Sequence, residues 1–202
     1  MSIKSNDRHK IRRVFYHELG HYVSAFLNKK YFTGYGSEYI KIHRCENKQD
    51  EFCGKTEPIK PKDYKKNILF YETLSENLVS YIYGCLFQSY FSQSQTLEYC
   101  FKYFGKNDED AFYNNIAIHR LGQEKAFRLE QLNNEHYKKI ADNELLKELE
   151  SIDILSILIE NDIKDEYFVD LKTLHEIIEG FLESYKDVYC EFIENYKDVI
   201  NE

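Results

Sequence analysis

Ile11-Arg-Arg-Val14-Phe15-Tyr16-His17-Glu18-Leu19-Gly20-His21-Tyr22-Val23-Ser24-Ala25-Phe26 is the stretch on which the fold turns. At 100° per residue Ile11, Val14, Phe15, Tyr22, Ala25 and Phe26 fall on one arc, so residues 8 to 30 read as an amphipathic helix. His17 and His21 stand one turn plus about 40° apart at the edge of that arc, with Cβ atoms about 5–6 Å apart, close enough to share one tetrahedral ion. Glu18 falls within about 20–40° of Ile11, Tyr22 and Ala25, inside the apolar arc. A carboxylate there faces a desolvation penalty unless a cation or a wet cleft receives it. H-E-x-x-H on a helix is a metallopeptidase pattern, in which the two imidazoles hold zinc and the glutamate acts as general base. The chemistry expected is one Zn²⁺ per chain on His17 and His21, with Glu18 taking a proton from water and returning it to the leaving amine. The competing reading is a surface His pair with an incidental Glu. A catalytic zinc needs a third protein ligand and an open fourth position.

Outward from this helix the texture changes. Gly34 and Gly36 break it, Glu38-Tyr-Ile-Lys-Ile-His43 alternates, and Glu51-Phe-Cys-Gly-Lys-Thr56 reads as a second short strand before Pro58. This is the one sheet-like part expected. Residues 62 to 92 return to helical spacing, with Leu74, Leu78, Val79, Ile82, Leu86 and Phe87 spread widely enough for a helix buried on more than one side. Further helices are expected at roughly 95–103, 108–121, 123–150, 151–161 and 170–200. The fold class is therefore mainly α with a small β-sheet, an α+β arrangement.

A chain of 202 residues fits one domain with a real core. With 27 Lys and Arg against 35 Asp and Glu the net charge is −8, the opposite of what a phosphate backbone selects, so no nucleic-acid partner is expected. No apolar run approaches the roughly eighteen residues of a membrane span, and Met1 to Lys10 is polar and basic, so neither export by an ordinary signal nor membrane anchoring is expected. Five cysteines, an odd number at irregular spacing, read as reduced thiols of a cytoplasmic protein. His43, Cys45 and Cys53 offer only three ligands at unconventional spacing and read as ordinary hairpin residues. Arg8, Lys10, Arg12 and Arg13 read as a solvated helix face.

The H-E-L-G-H helix, the strand at 38–43, Gly54-Lys-Thr56, the segment Ser75-Glu-Asn-Leu-Val-Ser-Tyr-Ile-Tyr-Gly84 and the turn Gly105-Lys-Asn-Asp-Glu-Asp110 follow one another in an order that resembles the peptidase domain of the FtsH family, the M41 metallopeptidases. The resemblance covers roughly residues 12 to 122. It implies a helical zincin-type peptidase domain, with residues 1–122 as the metallopeptidase core and 123–202 as a C-terminal helical part of the same domain. It also implies a zinc endopeptidase acting on loose or unfolded polypeptide, with the strand at 38–43 bordering the cleft, where a strand edge can hold an extended peptide. The family's third ligand is an aspartate at a helix start. Apolar residues at Ala111, Ala117, Ile118 and Leu121 fit the family's helix better counted from Asp110 than from Asp108, so the resemblance selects Asp110. Either acid could instead serve the start of that helix as a cap or in its first turn.

The chain departs from the family at Cys85 and Leu86, where a glycine and an arginine are usual. No G-x-x-x-x-G-K-[ST] loop is present, so the form expected is a free-standing peptidase domain without the AAA ATPase module, unable to unfold substrates by its own ATP hydrolysis. A separate ATPase or a homo-oligomer is left open. An ImmA/IrrE-like or other gluzincin-type regulatory peptidase would take Glu76, or Glu72, as third ligand. A third class is a non-catalytic metal-binding regulator or adaptor.

Overall fold

The computed structural model describes residues 4–60, 71–92 and 95–202. Helix α1 (Ser5–Tyr31) buries Ile11, Phe15, Leu19, Val23 and Leu27 completely or nearly so. It ends where Phe32 and Gly34 both donate their N–H to the Asn28 carbonyl, at 2.9 and 3.2 Å. The antiparallel hairpin follows as β1 (Ser37–Cys45) and β2 (Lys48–Pro58). Ile40, Ile42 and Phe52 point inward onto α1, the alternation that the sequence shows.

Helix α2 (Leu74–Ser92) is buried almost all round, as its apolar spread requires, and packs against α1 on one side. On its others it meets α3 (Leu97–Tyr103), α4 (Lys106–Ile118), α5 (Gly122–Asp142) and α6 (Leu171–Asn201). The part of this helix expected over 62–70 lies outside the described residues. Thr96 caps α3 by accepting from the Tyr99 N–H at 3.1 Å, and Asp170 caps α6 through the N–H groups of Lys172 and Thr173. Helix α6 lays a stripe from Leu174 through Phe181, Tyr185, Tyr189, Phe192 and Tyr196 into the core.

Two expectations for the second half are corrected. The expected helix at 151–161 is a short 3₁₀ turn, Ile154–Ile157, followed by β3 (Leu158–Glu160), and β4 (Glu166–Val169) returns alongside it. The sheet therefore has four antiparallel strands in the order β2-β1-β4-β3, and the sheet-like region is not confined to residues 31–61. Residues 123–202 are correspondingly not helical throughout. The run Ile152 to Ile159 is too short for periodicity to separate strand from helix, and its isoleucines favour the strand. The helix expected over 123–150 stops at Asp142, and Glu144 takes a positive φ of 51° before a 3₁₀ turn at Lys147–Ser151.

The hairpin carries a further correction. Cys45 and Cys53 are joined as a disulfide, with Cα atoms 5.2 Å apart, so the five cysteines are not all reduced thiols. Cys53 lies opposite His43, two residues from Cys45, and the register shifts next to Cys45. Such bonds persist in oxidising compartments and are rare in the cytosol, so the cysteines no longer speak for a cytoplasmic location. Among the described residues no helix is long and apolar enough to cross a membrane. The basic helix face is also only partly solvated: Arg13 reaches Glu51 on β2 at 2.6 Å and lies over the Phe104 ring, and Lys10 donates to the Asp50 carbonyl. A disulfide closing so short a loop contributes about 2–3 kcal/mol. The double substitution Cys45→Ser, Cys53→Ser is expected to lower the unfolding free energy by that amount in urea titration, and digestion without reductant should release a peptide pair linked through these two residues.

Candidate metal centre

Three helices and one strand build the site. The α1 and α2 backbones touch at Gly20, where a Cβ would run into the Tyr83 carbonyl, and this contact slides Gly84 beneath the two histidines. A Cβ on Gly84 would stand 2.8 Å from His17 Nε2 and closer still to His21 Nε2. Only a bare Cα lets the imidazoles converge here. His17 Nε2 and His21 Nε2 are 3.1 Å apart, and Asp108 Oδ2, from the first turn of α4, lies 3.2 Å from the first and 3.3 Å from the second. Among the described residues this is the one group of three or more His, Cys, Asp or Glu side chains with ligand atoms so close together.

The third acid is thus Asp108, and the expectation of Asp110 is corrected. Asp110 is exposed and its Oδ1 lies 3.7 Å from Lys106 Nζ in a solvent-facing i,i+4 pair. Two residues on a helix are about 200° apart, so the acids point to opposite sides. The buried face of α4 is Phe112, Asn115 and Ile116, at +4, +7 and +8 from Asp108, whereas Ala117 and Ile118, which argued for Asp110, are exposed. Glu76 is not at the site either: its carboxylate accepts from the Ser75 hydroxyl at 2.9 Å, so the structure does not support it as third ligand. The Glu72 side chain lies outside the described residues. His43 Nδ1 donates to the Arg44 carbonyl and Cys45 and Cys53 are spent on each other, so these three form no second metal group.

The donor set fits a divalent cation. Ligand bonds of about 2.0–2.2 Å around a tetrahedral ion place donors about 3.3 Å apart, which the three observed separations approach. His21 Nδ1 donates to the Ser80 carbonyl at 2.9 Å, and since a carbonyl only accepts, the proton is on Nδ1 and the Nε2 lone pair is aimed at the centre. Without a cation these atoms hold protons instead. Burial works against protonation of His17, yet the Asp108 and Cys100 side chains and the Glu18 charge bring it up to about 10. His21 is raised against the same burial by Asp108. Burial alone would raise Asp108, but the two imidazoles hold it far below the usual carboxylate range.

Glu18 is 5% exposed and its Oε2 accepts from the Thr56 hydroxyl at 2.8 Å, while Thr56 also donates to the Glu18 carbonyl at 3.1 Å. The strand comes this close because Gly54 has no Cβ to meet the Glu18 side chain. A cleft of about 1760 Å³ opens over these groups, with Glu18, His17 and Asp108 in its lining together with Gly54, Thr56 and Tyr103. Both strands of the hairpin line it, β1 through Ser37, His43 and Cys45 and β2 along much of its length. β1 is internal, because β4 pairs with Lys41, Ile42 and His43, and it is β2 whose outer edge is unpaired among the described residues.

Sequence reasoning missed three contributors. Ser80 acts through a backbone carbonyl, which no side-chain pattern announces. Cys85 and Cys100 lie buried behind His17, and the Cys100 thiol is pulled down to about 6 by the Cys85 thiol and, against burial, by the His17 ring. Cys85 fills the space that Gly105 leaves open at the start of α4. No family model, curated protein or solved structure matches the chain.

Two outcomes are expected. Asp108→Ala should abolish stoichiometric zinc binding in equilibrium dialysis with metal analysis, and Asp110→Ala should retain it. In metal-free protein the raised His17 pKa stabilises the fold fully below the ordinary value of 6.5 and ceases to do so as pH rises through about 10. Denaturant titrations across that window should show stability falling with pH, with the fall reduced in Asp108→Ala.

Proposed function

We propose that the chain is a zinc-dependent endopeptidase that hydrolyses peptide bonds in loose or unfolded polypeptide, and that it is similar to the M41 peptidase domain. The observation that carries this reading is the convergence of His17, His21 and Asp108 beside a buried Glu18 at the floor of an open cleft. Zinc held there would polarise a carbonyl and lower the pKa of water from 15.7 to about 7.

The chain's own groups supply the rest. Thr56 holds one oxygen of the Glu18 carboxylate through its hydroxyl proton, which leaves the other to take a proton from the attacking water. That proton is then carried to the amine as the C–N bond breaks. The outer edge of β2 offers N–H and C=O groups that can pair with an extended peptide irrespective of its side chains. Such binding requires an unfolded segment, since a substrate must present its own free strand edge. Displacement of Glu76 from the histidines removes support from the gluzincin-type alternative, and the Thr56–Glu18 pair gives a proton acceptor that a metal-binding adaptor would not need.

Cleavage of a denatured, unstructured protein should be stopped by a zinc chelator and restored by zinc. Glu18→Gln should reduce the rate by about 10²–10⁴ while zinc content is unchanged, the mark of a lost general base. Full zinc occupancy with no cleavage of any denatured substrate by the unsubstituted protein would replace this reading with a metal-binding regulator.

A further inference from the structure

The C-terminal helix, which carries none of the motif residues, reaches the metal centre through one phenol. Tyr189 of α6 is fully buried, and its hydroxyl lies 2.8 Å from Asn28 Oδ1 and 2.8 Å from Ser24 Oγ, both on α1. Ser24 Oγ lies 2.8 Å from Ser80 Oγ on α2, and Asn28 Nδ2 donates to the same Ser80 oxygen at 3.2 Å. The donor sense is determined throughout. An amide oxygen only accepts, so Tyr189 donates to Asn28 and accepts from Ser24; the one Ser24 proton is then spent, so Ser80 donates to Ser24 and accepts from Asn28, whose Nδ2 also donates to the Glu76 carbonyl at 3.5 Å. The four groups thus close a ring in which each member donates once and accepts once, the arrangement in which hydrogen bonds polarise one another. The carbonyl of Ser80 is the acceptor for His21 Nδ1.

Resting on the metal-site reading, we infer that Tyr189 is a positioning residue: through the Ser24, Asn28 and Ser80 ring it fixes the Ser80 peptide and so the ring orientation of His21. Without the phenol hydroxyl, Asn28 Oδ1 loses its donor and the Ser24 hydroxyl its acceptor, and the ring rearranges to satisfy them. The Ser80 side chain is a partner in that rearrangement, and its own carbonyl holds the imidazole. Packing is a separate matter, since the Tyr189 ring also lies edge-on to Tyr83, and phenylalanine retains that contact.

The test compares Tyr189→Phe and Ser24→Ala with Tyr196→Phe, which removes another buried phenol hydroxyl, one bonded to Asn133 on α5. Zinc dissociation constants are measured by competition with a chromophoric chelator, and the His21 Nδ1–H resonance is followed by NMR in metal-free protein. Tyr189→Phe and Ser24→Ala should each weaken zinc binding about tenfold, as loss of an outer partner of a ligating histidine does, with Tyr196→Phe unchanged. The Nδ1–H proton should be protected from exchange in the parent and lose that protection in both ring variants. Unchanged zinc affinity and Nδ1–H protection in folded Tyr189→Phe would overturn the inference, and so would equal losses in Tyr196→Phe. Should Tyr189→Phe fail to fold, Ser24→Ala, which removes one buried oxygen, decides between the same two outcomes. Failure of the parent protein to bind zinc would count against the metal reading alone, because the proton-exchange comparison needs no metal.

Discussion

The backbone contact between α1 and α2 at Gly20 is the constraint from which the site follows. Helices that meet through side chains keep their axes about 8–10 Å apart. Here the Tyr83 carbonyl occupies the place of a missing Cβ, and one helical step later Gly84 lies against both imidazoles. The same approach brings the Ser80 carbonyl within reach of His21 Nδ1, a turn back along α2. Any side chain at Gly20 would push α2 outward and separate the pieces together, so the two glycines act as one feature. Gly54 and Gly105 repeat the device, admitting β2 to Glu18 and α4 to the Cys85 thiol. Four bare Cα positions thus determine how closely four elements gather around one point.

What gathers there would be unstable without positive charge. Two imidazole nitrogens and a carboxylate oxygen, all partly buried, converge at the floor of the cleft, where lone pairs facing one another repel. The upward movement of both histidines and the downward movement of Asp108 express the same demand, met by protons when no metal is present. A divalent cation held there would compete with protons for the same three atoms, and its affinity would rise with pH. Glu18 adds negative charge beside the centre, and Thr56 holds it by a neutral hydroxyl rather than a cation.

The parts legible in the sequence were those with a period. Helix α1 declared itself through six apolar residues on one arc, β1 through the alternation of residues 38–43, and the two histidines through their four-residue spacing. The acid was harder, because a thirteen-residue helix with exposed Ala117 and Ile118 supports two phases, and only the burial of Phe112 and Ile116 separates Asp108 from Asp110. Strands of three and four residues, like β3 and β4, hold too few positions for alternation to show, and their effect is large: β4 takes the inner edge of β1 and leaves β2 as the outer strand. The Cys45–Cys53 bond joins positions that are not opposite one another in the hairpin register, which spacing alone does not announce.

The second half of the chain then has a physical part in the centre despite supplying none of its ligands. β4 pairs with the inner edge of β1, and α6 packs against α1 and α2, with Tyr185 of α6 and His136 of α5 both bonded to the Tyr83 hydroxyl. Burial without a nearby anion pulls His136 down to about 3, so it remains neutral and serves as a flat partner stacked on Phe192 rather than as a titrating group. Two chemically similar histidine environments therefore diverge. His17 and His21 are partly buried beside Asp108 and drawn toward the charged form, while His136 is buried among aromatic rings with Lys139 nearby and kept from it. Neighbouring acids on one side and their absence on the other set the two apart.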